Sequence, residues 1–168
     1  TLYGVFKQAN EGTAAVYWRD HDIASVGLRP YTVYGPGRDQ GLTSTPTMAM
    51  LAAARGENYH IGYGGHNGFQ FVDDVAKIFI QAAFIQKKGA DVYNIRGAVV
   101  HVDDIIRAIN AVEPNVTITY EETPLPFPKG QTDVELRNLL GEIPDTSLDH
   151  GVAQTIEHFR KAVTLGQL

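Results

Sequence analysis

The chain has 168 residues, a net charge of −5 and no cysteine. That length supports one core, or one core with a small appended lobe, and a composition of 43% hydrophobic and 20% charged residues excludes an intrinsically disordered chain. The acidic balance argues against a nucleic-acid partner, which needs a basic face to displace phosphate counterions. The missing cysteines exclude disulfides, thiolate metal sites and a Cys nucleophile, and they fit a cytoplasmic protein. No apolar run approaches a membrane span.

Residues 2–19 predict a helix, with Phe6, Ala9, Thr13, Val16 and Tyr17 on one face. Asn10 and Gly12 weaken its middle. The run 23–28 is short and β-like. The stretch 27–41 begins as the end of that run and then breaks into a loop that holds two prolines and three glycines with Arg29, Tyr31, Thr32, Tyr34 and Arg38. An apolar strand that ends in such a loop is how α/β folds present a site. Thr45-Pro46 offers a cap for a helix over 47–55, stopped by Gly56.

Residues 59–63 predict a strand. Four glycines between 62 and 68 predict a flexible loop around His66 and Asn67, and 69–72 a further short strand. Asp73 or Asp74 then caps a helix reaching about residue 87. Residues 92–95 and 116–120 predict strands, and 102–112 an amphipathic helix stopped by Pro114. The proline-rich stretch 121–130 reads as an extended connection. A short helix over 133–140 and a last helix, opened by Thr146 or Ser147 and running to about 165, complete the chain. Alternating strands and helices indicate an α/β or α+β domain.

On a helix, Tyr3 and Lys7 are one turn apart on one face. A phenol is too weak a base at neutral pH, and a neighbouring ammonium favours its phenolate. Such a pair can exchange a proton with a substrate hydroxyl or carbonyl. His60, His66 and Asp73 do not have the spacing of a metal-ligand set, and no metal is expected. A glycine-rich dinucleotide fingerprint after a strand is not found among these residues.

The order of the motifs adds more. Tyr-x-x-x-Lys at 3–7 is followed by L-R-P at 28–30, Y-T-V-Y-G-P-G-R at 31–38, F-V-D-D-V-A at 71–76 and T-S-L-D-H-G-V-A-Q-T-I at 146–156. This series resembles the extended short-chain dehydrogenase/reductase family of NAD-dependent epimerases and dehydratases, and it matches the C-terminal half of that family. The resemblance implies an α/β fold: the C-terminal portion of a Rossmann-like domain (residues 1–37 and 69–96) with a small α/β substrate-binding lobe (38–68 and 97–168). It implies that Tyr3 is the catalytic acid/base, and that Lys7 lowers its pKa and bonds the nicotinamide ribose of NAD or NADP. Tyr31, Thr32 and Val33 would touch the nicotinamide and the reacting part of the substrate. Thr32, Arg38, Thr47 and Asn67 would wrap the substrate.

Many nucleotide-sugar enzymes of the family carry an Arg where HNGFQFVDD has Asn67. Asn does not offer the bidentate phosphate contact of Arg. A free sugar, a sugar acid or another small hydroxyl compound is therefore expected as an alternative to a nucleotide sugar. A dehydrogenase or reductase of a small hydroxy or keto compound is the alternative, as is a non-catalytic remnant for binding or oligomerisation. The chain has no initiator Met, begins inside a helical pattern and lacks the glycine-rich half of the cofactor site. It is expected to be a fragment that is inactive alone. The first helix resembles the one the family uses for dimerisation, which implies a homodimer.

Overall fold

The computed structural model describes all 168 residues. Helix α1 spans Leu2–His21. The Thr1 hydroxyl accepts a hydrogen bond from the Gly4 amide at 3.2 Å, which satisfies one orphan donor of the first turn. Asp22, in the left-handed region at φ 55, closes the helix two residues beyond its expected end. Arg19 and His21 in the last turn complement its dipole. No residue of α1 is buried. Leu2, Tyr3 and Phe6 are 76%, 72% and 66% exposed.

Strand β1 (Ser25–Arg29) runs parallel to β5 (Ala90–Asn94), with Ser25 opposite Ala90 and Arg29 opposite Asn94. The other edge of β1 has no partner strand. Helix α3 (Val72–Phe84) and the short α5 (Val134–Leu140) pack beside this pair. Val75, Ile78, Ile95, Leu136 and Ile143 form a small core there, with Leu28, Val33 and Tyr93 against it.

A second sheet joins β2 (Thr32–Tyr34), β4 (His66–Phe71) and β6 (Ala98–His101) in that order. The β2–β4 pair is parallel and the β4–β6 pair antiparallel. Three expectations change here. Thr32–Tyr34 is a strand inside the expected loop, with Thr32 and Tyr34 buried. His66 and Asn67 are not in a flexible loop but lie in β4, opposite His101 and Val100. Strand β6 carries too short an alternation to stand out alone. A close backbone approach decides it: a Cβ on Gly97 would collide with the Phe69 carbonyl, so glycine lets the chain enter the sheet.

The main core of 19 buried residues joins this sheet to α2 (Thr45–Ala54), β3 (Tyr59–Ile61), α4 (Val102–Val112), β7 (Ile118–Tyr120) and α6 (Leu148–Thr164). Strands β3 and β7 pair in parallel. Helix α4 opens with a capping box in which His101 Nδ1 accepts from the Asp103 amide and Asp104 accepts from the His101 amide. Ser147 caps α6 by accepting from the His150 amide at 3.4 Å.

Two expected caps are not formed. Phe71 precedes α3, and neither Asp73 nor Asp74 makes a side-chain cap there. Asp74 is drawn instead to Thr146. Thr45 is the first residue of α2, and its buried hydroxyl has no hydrogen-bond partner.

No helix is long and apolar enough to cross a membrane. The chain exposes 9808 Å² of accessible surface. A single folded chain of 18.4 kDa would expose about 8,200 Å². Leu2, Tyr3, Val5, Phe6, Val16 and Tyr17 of α1 are among the exposed large apolar side chains, and α1 packs against β1 and β5.

Candidate active site

Tyr3, Lys7 and Glu11 form one stripe along α1, each a turn from the next. The stripe faces the strand pair. With Arg29, Pro30 and Val92 it lines a cavity of about 470 Å³. The Lys7 ammonium lies 5.3 Å from the centre of the Tyr3 ring, within cation–π range. Arg29, the last residue of β1, grips Glu11 with both arms of its fork: Nε to Oε1 at 2.7 Å and Nη2 to Oε2 at 2.6 Å. That grip holds the Glu11 carboxyl below its ordinary range and raises the guanidinium. The cavity therefore offers a phenol and an ammonium on one wall and a strand's carboxyl end on the other.

The other expected site residues divide between two places. The Tyr31 amide donates to Gln70 Oε1 at 2.8 Å and its hydroxyl donates to the Pro128 carbonyl. Burial pushes the Tyr31 phenol up. The Thr32 hydroxyl donates to Asn67 Oδ1 at 3.3 Å, with both residues 1% exposed. Val33 packs against the small core.

Arg38 donates to the Gln40 carbonyl at 2.5 Å and to Thr43 Oγ1 at 2.9 Å. The Thr47 hydroxyl accepts from the Gly35 amide at 3.2 Å. Arg38 and Thr47 line a second cavity, of about 520 Å³, with Leu51, Arg55 and His158. It shares no lining residue with the Tyr3 cavity. The fold thus brings together Tyr3 with Lys7, Thr32 with Asn67, and Arg38 with Thr47.

Glu11 was not singled out from the sequence, although its position four residues after Lys7 was a usable signal. Gln70 and Gln131 also bind the strand ends together. Gln70 Nε2 donates to the Ile95 carbonyl. Gln131 Nε2 donates to the carbonyls of Ile95 at 2.9 Å and Arg29 at 3.2 Å. Nothing local marks them, because they serve backbone groups far away in sequence.

The fold has counterparts among known proteins. The NAD dependent epimerase/dehydratase family profile matches residues 1–95. An uncharacterized 37.6 kDa protein of Escherichia coli O111:H- is 28% identical, over 95% of this chain and 54% of its own. Among solved structures, the UDP-glucose 4-epimerase of Thermotoga maritima superposes with a TM-score of 0.81 at 24% identity, covering 96% of this chain and 54% of that one. MoeE5 in complex with UDP-glucuronic acid and NAD superposes with a TM-score of 0.78 at 27% identity, covering 95% and 56%. A partial consensus L-threonine 3-dehydrogenase reaches a TM-score of 0.86 at 22% identity, covering 96% and 57%. The chain spans about half the length of the proteins it matches. With its mixed α/β fold of parallel strand pairs, it belongs to the NAD dependent epimerase/dehydratase family.

Proposed function

We propose that this chain supplies the acid/base wall of an NAD(P)-dependent epimerase or dehydratase acting at a hydroxyl-bearing carbon of a sugar-like substrate. The observation that carries this reading is the Lys7 ammonium held 5.3 Å from the Tyr3 ring on the wall of a shared cavity. Tyr3 withdraws the proton from the substrate hydroxyl as the carbon is oxidised, and returns it on reduction. Lys7 favours the phenolate during that exchange. When bound, the nicotinamide accepts and returns the hydride.

The residues present fit the ribose and nicotinamide end of such a cofactor, since the phenol and the ammonium are both accessible on the cavity wall. A glycine-rich turn for its pyrophosphate does not occur among the 168 residues. Tyr31, Thr32 and Val33 shape the strand end beside the cofactor. Arg38, Thr47 and Asn67 contribute to the substrate side, Thr47 as a buried acceptor for the Gly35 amide and Asn67 as a buried acceptor for the Thr32 hydroxyl. The chain pairs through α1 with a second copy.

The test is turnover of UDP-sugars and of free sugars with NAD or NADP by a full-length protein containing this chain, and by Tyr3→Phe. Loss of turnover with retained cofactor binding is expected in the variant, and unchanged turnover would refute the assignment. The isolated 168 residues are expected neither to bind NADH tightly nor to turn over. Strong nicotinamide fluorescence enhancement by this chain alone would overturn that part.

A further inference from the structure

We propose that Arg29 is a positioning residue that keeps Lys7 available to Tyr3 by holding Glu11 away from it. The inference rests on the reading of Tyr3 and Lys7 as the proton-transfer pair, and it adds a residue to that machinery from another element of the fold. Lys7 has two neighbours on its face of α1: the Tyr3 ring one turn before and the Glu11 carboxylate one turn after. A carboxylate is the stronger partner for an ammonium, since opposite full charges attract more than a ring face attracts a cation. Yet Lys7 takes part in no ion pair and lies over the Tyr3 ring.

The geometry explains the choice. Both Glu11 oxygens are taken by the Arg29 fork, at 2.6 and 2.7 Å. Two parallel charged hydrogen bonds outcompete a single ammonium contact. The fork is well anchored. Arg29 ends β1 opposite Asn94, and its carbonyl accepts from the Ile95 amide at 3.1 Å and from Gln131 Nε2 at 3.2 Å. Without Arg29, Glu11 is free to turn along the helix onto Lys7. An ammonium neutralised there would no longer favour a phenolate on Tyr3.

The test is nuclear magnetic resonance on this chain, reading cross-peaks between the Lys7 side chain and the Tyr3 ring. At neutral pH, Arg29→Ala is expected to weaken the Lys7–Tyr3 cross-peak and to bring up one between Lys7 and Glu11. Arg29→Ala combined with Glu11→Gln is expected to restore the Lys7–Tyr3 signal, which a merely structural role would not do. In Arg29→Ala alone the signal should also return as pH falls below about 4 and Glu11 becomes protonated. Arg29→Met keeps bulk against the strand and carries the same expectations, should the alanine variant misfold. A Lys7–Tyr3 cross-peak that is unchanged on loss of Arg29, or not restored by Glu11→Gln, would overturn the proposal. Activity is not read in this experiment, so a failure of the Tyr3–Lys7 pair to catalyse would leave its outcome interpretable.

Discussion

Asp74 accepts two hydrogen bonds from Thr146, one from its amide at 2.6 Å and one from its hydroxyl at 2.9 Å. The two residues are far apart in sequence. Their contact ties the first turn of α3 to the segment that leads into α6, and so joins the small core to the main one. Asp74 is 7% exposed, so losing its carboxylate strands two donors. Asp74→Ala is expected to destabilise the chain by about 2 kcal/mol, read as a lower urea midpoint. Asp73→Ala, one residue away without such bonds, should shift the midpoint far less.

Two glycines should respond in opposite directions to alanine. Gly12 lies in the middle of α1 with open space around a would-be Cβ. Gly12→Ala is expected to stabilise by about 0.5–1 kcal/mol through helix propensity. Gly97 faces the Phe69 backbone, and Gly97→Ala is expected to cost about 2 kcal/mol or more. Thermal melts of the two variants beside the parent chain check both signs.

The Glu11–Arg29 pair makes a signed pH prediction. Its hydrogen bonds hold the Glu11 carboxyl below its ordinary range. A carboxyl lowered in the folded state contributes stability that is fully present above its unfolded pKa, and that is lost as pH falls through the folded value. The parent chain should therefore lose more stability than Glu11→Gln on going from pH 6 to pH 3. The difference should stay below about 1 kcal/mol, because water and salt screen a pair that is half open to solvent. Melting temperatures across that range give the measurement.

Lys7→Met removes the charge beside Tyr3 and keeps the side-chain length. In a full-length enzyme containing this chain, kcat at neutral pH is expected to fall by about 100-fold or more. Part of it should return at alkaline pH, where the phenolate forms without help. A flat loss at every pH would count against this role of Lys7.

Light scattering tests the surface of α1. Val16 and Tyr17 are 43% and 50% exposed and belong to a helix with no buried residue. Tyr17→Glu is expected to lower the mass of an assembled chain toward that of a monomer. An unchanged mass would argue against α1 as the contact.

How much of this was legible in the sequence depends on the range of the forces involved. The helices α1, α3, α4 and α6 were readable because their apolar spacing and breakers are local. So were the paired Tyr3 and Lys7, since one helical turn relates them whatever the rest of the chain does. The family could be read because several motifs follow one another in order.

Tertiary structure alone decided the rest. Strands β2 and β6 are too short to declare themselves, and exist through pairing with β4. Asn67 reads as a polar loop residue and is buried, because β2 brings the Thr32 hydroxyl against it. Asp74 reads as a helix cap and becomes a cross-link, because Thr146 arrives from the far end of the chain. The same holds at the candidate site. Sequence alone placed an ammonium next to a phenol, whereas the fold brought Arg29 across from a strand to occupy Glu11. A helix sets its neighbours three and four residues away by its own geometry, but a partner on another element is chosen only when the sheet beneath both is built.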